Sequence, residues 1–213
     1  MSRKRLAIFI SGRGSNMDSL LNACQAVDYP AVPVLVLSNK PNAGGLDKAA
    51  ARGVPTAVVD HRAYANREAF EKDVQEALIA ANVEFIALAG FMRVLTPWFI
   101  SRWEGRLINI HPSLLPSFPG LQTHRRAIEA GCRLAGCTVH HVTAGVDEGP
   151  IIGQAAVPVR PDDNDDSLAA RVLTAEHMLY PVCLAAAIRN NPARSAHVRM
   201  GGSADSPILL STP

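Results

Sequence analysis

The sequence predicts a single α/β domain with a mostly parallel twisted sheet, helices on both faces and an antiparallel hairpin near its end. Short apolar runs alternate with segments of helical periodicity as far as residue 110, the pattern of parallel strands joined by helices. Apolar residues form 48% of the 213-residue chain, enough for one core. We expect this domain to span residues 1–190, followed by a tail of little fixed structure over 191–213, which is rich in Ser, Pro, Gly and Ala.

The first βαβ unit illustrates this alternation. Residues 6–10 and 33–37 are continuous apolar runs followed by polar residues, as expected for buried strands. Between them, residues 15–27 carry apolar side chains at helical spacing, and Ser15 or Asn16 is available as the N-cap. A strand, a helix and a parallel strand follow from this order.

The remaining elements continue the alternation and then change to a hairpin. A turn-rich stretch separates the two apolar runs of that hairpin. The predicted elements are helix 43–52, strand 56–59, helix 65–81, strand 85–89, strand 107–110, hairpin strands 137–142 and 151–157, and helix 166–188.

Composition excludes several classes of function. The 21 Lys and Arg residues are interspersed with 19 Asp and Glu residues, so no nucleic-acid partner is indicated. The four cysteines form no CxxC pair and the chain opens with no apolar signal segment, which favours reduced thiols and a cytoplasmic location. The apolar run 85–91 is far shorter than the roughly 20 residues that cross a bilayer. We therefore expect no membrane association.

A glycine-containing segment, Ser11–Asn16, lies between the first strand and the first helix. Its glycines allow close approach of an anion, which exposed N–H groups and the helix dipole would hold. An ordinary tight turn is the alternative. A dinucleotide fingerprint requires a third glycine where Asn16 and Met17 stand, so a single phosphate is favoured.

Asn109 and His111 lie in the fifth apolar strand, two residues apart. They therefore point to the same side of an extended chain, and Pro112 ends the strand directly after them. Ligands of open α/β sheets bind at the carboxyl ends of the strands. Because a buried Asn and His must find polar partners, the pair indicates function more than structure.

Two further segments are ambiguous by themselves. The turn 145–150 contains Asp147, which would favour a protonated His111 if the hairpin folded back over the strand ends. The segment 88–95 follows the fourth strand and contains Gly90 and several apolar residues, suited to one wall of a pocket for a flat aromatic ligand. Ordinary core packing is the alternative for 88–95.

Together these segments resemble the folate-dependent formyltransferases. The resemblance extends from residue 11 to residue 181, and its most specific part is the string Asn109-Ile110-His111-Pro112-Ser113-Leu114-Leu115-Pro116. It also includes Leu88–Arg93, Pro119-Gly120, Thr123-His124, 147–150, Glu176-His177 and Tyr180-Pro181. Family members that formylate methionyl-tRNA carry a further C-terminal domain, and those that hydrolyse formyltetrahydrofolate carry an N-terminal regulatory domain. Neither domain is expected in this chain.

The resemblance implies a single-domain formyltransferase fold and a reaction in de novo purine synthesis. The formyl group of 10-formyltetrahydrofolate would pass to the primary amine of glycinamide ribonucleotide, without a metal, in a monomer or homodimer that binds only small molecules. The implied residues are Asn109, His111 and Asp147 for catalysis, Gly14, Ser15, Asn16 and Glu176 for the ribonucleotide, Met92, Arg93, Val94, Asn109, Gly145 and Asp147 for the folate, and His140 in support.

Two residues depart from the family pattern. Leu173 stands where family members have Gln or Lys near the substrate, and Gln122 stands where some members have His. Both departures bear on substrate affinity more than on reaction type. Two other functions remain open: hydrolysis with release of formate, and binding of folate or nucleotide without catalysis. The presence of Asn109, His111 and Asp147 together argues against simple binding, which has no need of this polar trio.

Overall fold

Eight strands form one sheet in the computed structural model, which describes residues 2–189 and the backbone of residues 208–211. The strands are β1 (Lys4–Ile10), β2 (Ala31–Ser38), β3 (Thr56–Val58), β4 (Phe85–Leu88), β5 (Leu107–His111), β6 (Leu134–His141), β7 (Ile151–Pro158) and β8 (Ile208–Ser211). Their order in the sheet is β3-β2-β1-β4-β5-β6-β7-β8. The most apolar early run, β1, lies inside the sheet, as its burial requires.

The sheet is parallel from β3 to β5 and antiparallel from β5 to β8. The predicted α/β architecture and its antiparallel hairpin are thus confirmed. Most of the predicted tail, 191–213, lies outside the described residues. Residues 208–211 are the part of it that is described, and they extend the sheet beside β7.

Six helices connect and cover the strands, and a 3₁₀ turn spans His61–Ala63. The helices are α1 (Ser15–Ala23), α2 (Gly45–Ala51), α3 (Arg67–Ala80), α4 (Pro97–Arg102), α5 (Thr123–Glu129) and α6 (Asp165–Arg189). Among the described residues, no helix combines the length and apolar character that a bilayer span requires. The short helices α4 and α5 were not predicted because six or seven residues carry too little periodicity.

Alternation along β1 places a core on each face of the sheet. Leu6, Ile8 and Ile10 pack in the cluster that includes α1 and α6 residues. Ala7 and Phe9 pack on the opposite face, in the cluster that includes α3 and α4 residues. Because side chains of a strand alternate between faces, a continuous apolar run serves both layers at once.

The start of α1 differs from the prediction. Neither Ser15 nor Asn16 caps the helix; Gly14 occupies the N-cap position with a left-handed φ of 71° and no side-chain hydrogen bond. Glycine adopts this conformation without a Cβ penalty. The amide of Asn16 is consequently available to contact another element.

Gly136 provides a stability test because β6 passes very close to β7 there. A Cβ on Gly136 would lie 1.9 Å from the carbonyl oxygen of Ala155 and 2.9 Å from Leu114 Cδ2. We predict that Gly136→Ala lowers the free energy of unfolding by roughly 3 kcal/mol or more, since backbone must move to relieve the overlap. Urea unfolding measures the loss.

Gly44→Ala is the matched control for this substitution. Gly44 has φ −60° and no atom within 4 Å of the added Cβ. Its replacement should leave stability within about 1 kcal/mol of the parent. Equal stability of the two variants would contradict the close approach at Gly136.

Candidate active site

A cavity of about 690 Å³ opens at the carboxyl end of the parallel strands and extends over one face of β5. All but two of the site residues that the resemblance implies line it. These lining residues are Asn16, Met92, Arg93, Val94, Asn109, His111, His140, Gly145, Asp147 and Glu176. The other two, Gly14 and Ser15, lie beside Asn16 at the start of α1. The structure therefore brings five distant segments into one cleft.

Strand β5 sets the direction of Asn109 and His111. Ile108 and Ile110 pack into the core on the α6 side, so the two polar residues lie on the opposite face. His111 is 5% exposed, while Asn109 is partly buried. Both side chains face the cavity, as their spacing in the sequence predicts.

Asp147 reaches His111 because the 142–150 connection folds back over β5. One carboxylate oxygen, Oδ2, lies 3.3 Å from His111 Nδ1 and accepts the Gly120 N–H at 2.9 Å. His111 Nε2 lies 3.1 Å from the carbonyl oxygen of Phe118. Each ring nitrogen thus faces an oxygen acceptor, so both are satisfied together only when the ring is protonated.

His140 has the opposite environment and directs Asn109. Its Nδ1 lies 2.9 Å from the His141 carbonyl oxygen, which can only accept, so Nδ1 donates and Nε2 is left as an acceptor in the neutral ring. The Asn109 amide group Nδ2 lies 3.3 Å from that Nε2. Burial lowers the pKa of His140, which favours this neutral form. Asn109 Nδ2 keeps a second N–H for the cavity.

The Ser11–Asn16 loop packs tightly against the start of α2. The Gly45 N–H donates to the Gly12 carbonyl at 3.0 Å, and a Cβ on Gly45 would lie 2.5 Å from Ile10 Cδ1. The first N–H groups of α1 have no carbonyl partner within the helix. Beside the positive φ of Gly14, they form a short cradle suited to an anion.

A buried polar pair, Asn16 and Glu176, lies between this loop and α6. Asn16 Nδ2 donates to Glu176 Oε2 at 2.6 Å, and both residues are more than nine-tenths buried. Burial raises the pKa of Glu176 to about 7, against the opposing effect of the Asn16 hydrogen bond. The carboxyl group therefore holds its proton to a higher pH than an exposed glutamate does.

The segment Gly90–Thr96, here named the pocket wall, runs along one side of the cleft after β4. Its apolar side chains Met92 and Val94 are 62% and 54% exposed. On the other side of the opening, Leu121 and Val146 are 72% and 53% exposed. All four line the same cavity. Such a grouping of exposed apolar side chains marks a ligand groove more often than ordinary core packing.

Sequence reasoning missed several groups at the site. Phe118 and Gly120 contribute main-chain atoms, which no side-chain pattern reveals. His124 lines the cavity with its Nδ1 3.9 Å from Asp165 Oδ1, and burial lowers the pKa of its imidazole. The Thr-His pair at 123–124 was the available signal. Gln122, a departure from the family pattern, also lines the cavity.

Among the described side chains, no group of three or more His, Cys, Asp and Glu residues is arranged to hold a metal ion.

Comparison with known proteins identifies the family of this chain. The family model described as formyl transferase matches residues 4–184. A phosphoribosylglycinamide formyltransferase of Escherichia coli is 42% identical over 179 residues, 84% of each chain. A crystal structure of phosphoribosylglycinamide formyltransferase from Brucella melitensis superimposes with a TM-score of 0.85 at 54% identity, covering 88% of this chain and 96% of that one.

A longer relative matches as well. The trifunctional purine biosynthetic protein adenosine-3 of Drosophila melanogaster is 48% identical over 198 residues, which are 92% of this chain and 15% of the relative's length. The chain thus spans about a seventh of that relative and nearly all of the bacterial structure. On the match over residues 4–184 and the identities of these relatives, the chain belongs to the formyl transferase family.

Proposed function

We propose that this chain transfers the formyl group of 10-formyltetrahydrofolate to the primary amine of glycinamide ribonucleotide, giving formylglycinamide ribonucleotide in purine synthesis in the cytoplasm. The observation that carries the proposal is the convergence of Asn109, His111 and Asp147 between an anion cradle and an apolar wall. A reaction between an anionic amine substrate and a flat carrier needs an anion cradle on one side of the catalytic polar groups and an apolar wall on the other.

Asn109 and His111 supply the groups that stabilise charge. When an amine attacks a formyl carbon, negative charge develops on the formyl oxygen. The second Asn109 N–H and the positive charge of a protonated His111 are suited to stabilise it, because both lie at the cavity surface. Neutral His140 holds the Asn109 amide in the donating orientation.

Asp147 is assigned two roles. Its carboxylate balances the charge of His111 at 3.3 Å and fixes the ring between Asp147 and the Phe118 carbonyl. It also lies at the cavity surface, so it can help to move the proton from the attacking nitrogen to the departing one. These steps require only side chains of this chain.

The two substrates are assigned to the two ends of the cleft. The cradle of Gly14, Ser15 and Asn16 suits the ribonucleotide phosphate, and the buried acceptors of Glu176 suit its hydroxyl or amine donors. At the other end, Met92, Arg93 and Val94 face the 144–147 turn, with Gly145 and Asp147. The exposed apolar side chains here fit a flat aromatic carrier, whose polar edge main-chain groups can bind.

The first test is a coupled assay with 10-formyltetrahydrofolate, with and without glycinamide ribonucleotide, that follows deformylated folate and free formate. We expect turnover that depends on the ribonucleotide and releases no formate. Formate released regardless of the ribonucleotide would replace the proposal with hydrolysis. Folate binding without turnover would leave a binding protein.

The role of His111 predicts a large loss on substitution. His111→Ala should lower kcat about 10²- to 10⁴-fold in this assay, the range associated with acid–base and charge-stabilising groups. The melting temperature and circular dichroism spectrum of the variant serve as the folding control. A loss smaller than about tenfold in a folded variant would show that the mechanism is wrong.

Glu176 predicts a pH dependence of stability. Burial raises the pKa of Glu176 from the ordinary 4.5 to about 7. The contribution of the protonated carboxyl group to the free energy of unfolding is therefore complete below pH 4.5 and is lost as the pH rises through 7. Glu176→Gln keeps an acceptor for Asn16 and removes the charge. Relative to the parent, the variant should gain stability between pH 5 and 8, by at most roughly 3 kcal/mol.

Thermal melts across this pH range provide the measurement, with Glu104→Gln as the control at an exposed site. A difference between Glu176→Gln and parent that stays constant from pH 5 to 8 would count against a raised pKa.

A further inference from the structure

We propose that Ser11, although it belongs to the Ser11–Asn16 loop, is a positioning residue for the formylfolate, acting through the pocket wall. The inference rests on the proposed function and deepens it. Its basis is a contact between the Ser11 hydroxyl and the main chain of Met92, 81 residues away in the sequence.

Two hydrogen bonds join Ser11 to the pocket wall. Its main-chain N–H donates to the Gly90 carbonyl at 3.1 Å, which continues the pairing of β1 with β4 beyond the ends of the two strands. Its Oγ accepts the Met92 N–H at 2.8 Å. The first bond is available to any residue except proline, whereas the second requires a side-chain acceptor at position 11.

A third hydrogen bond fixes the direction of the hydroxyl. Ser11 Oγ donates its single proton to Asn39 Oδ1 at 2.5 Å. The lone pairs of Oγ are therefore turned toward the Met92 N–H. Ser11 is 7% exposed and Asn39 is fully buried, so water cannot readily replace this arrangement.

The far end of the pocket wall, at Thr96, is held independently. The carboxylate of Glu71, which is 1% exposed, accepts the main-chain N–H of Thr96 at 2.7 Å and also the Thr96 hydroxyl. Between these anchors, residues 91–96 have no helix or strand to hold them. The Met92 end of the wall thus depends on Ser11, while the Thr96 end depends on Glu71.

This arrangement separates the effects of the Ser11 side chain on the two substrates. The N–H groups of the anion cradle at Gly14, Ser15 and Asn16 make no use of the Ser11 hydroxyl. Removing the hydroxyl leaves the Met92 N–H without its partner and frees one end of the wall. Folate affinity should fall, whereas ribonucleotide affinity should remain.

The test compares Ser11→Ala with Ser38→Ala in the full chain. Ser38 is a suitable control because it pairs with Ile10 across the sheet, is also buried, and bonds to Lys40 through its hydroxyl. KM is measured for each substrate, and the dissociation constant of tetrahydrofolate is measured by calorimetry. We expect Ser11→Ala to raise the folate KM and the tetrahydrofolate dissociation constant about tenfold.

The ribonucleotide KM of Ser11→Ala should stay within about twofold of the parent, and Ser38→Ala should change neither constant by more than that. An unchanged folate KM, or an equal rise in both KM values, would overturn the proposal. If Ser11→Ala fails to fold, the near-isosteric Ser11→Cys, whose thiol is a weak hydrogen-bond partner, must show the same selective loss. Parent protein that does not bind tetrahydrofolate would reject the proposed function itself.

Discussion

One carboxylate oxygen, Asp147 Oδ2, joins three of the segments that line the cavity. It lies within contact of His111 at the end of β5, accepts the Gly120 N–H from the following loop, and belongs to the connection between β6 and β7. A carboxylate that is 12% exposed requires such partners, since burial of an unpaired charge is strongly unfavourable. The contacts of Asp147 with His111 and Gly120 therefore also fix the path of the loop after β5 and of the connection between β6 and β7.

The backbone of these loops is consistent with that constraint. Four non-glycine residues have a positive φ among the described residues, and three of them, Phe118, Gln122 and Asp147, lie in the two loops that meet at His111. Each left-handed residue costs about 1–2 kcal/mol. The compensating contacts are visible: Phe118 presents its carbonyl to His111 and its ring to Arg126 at 5.4 Å. Strain of this kind persists where surrounding contacts hold it, which is common at functional sites.

The sequence predicted the elements whose periodicity is strong. β1 and β4 are apolar runs buried on both faces, and α3 places Phe70, Val74 and Leu78 at helical spacing, so patterning alone locates them. The short α4 depends instead on Thr96, which caps its N-terminus and is itself held by Glu71. A helix that depends on such a long-range contact cannot be located from local pattern.

Sequence pattern also predicted part of the site, where the residues concerned lie in one strand. The shared side of Asn109 and His111 follows from strand geometry, because two residues in one strand have a defined relation. The approach of Asp147 does not, since it depends on a connection that folds back from a different strand. Ser11 was assigned to an anion-binding loop from its neighbours, whereas its Oγ accepts the Met92 N–H, a contact that local sequence does not contain.

Two histidines a few ångströms from the same carboxylate have different hydrogen-bond environments. His140 lies 3.8 Å from Asp147 Oδ1, yet burial lowers its pKa, and the His141 carbonyl leaves its Nε2 as an acceptor. His111 faces oxygen acceptors at both ring nitrogens. Were His140 charged, its Nε2 would donate, and the Asn109 amide would have to turn its N–H groups away. In the proposed mechanism, a neutral His140 is therefore the condition under which Asn109 and His111 can act together on one developing negative charge.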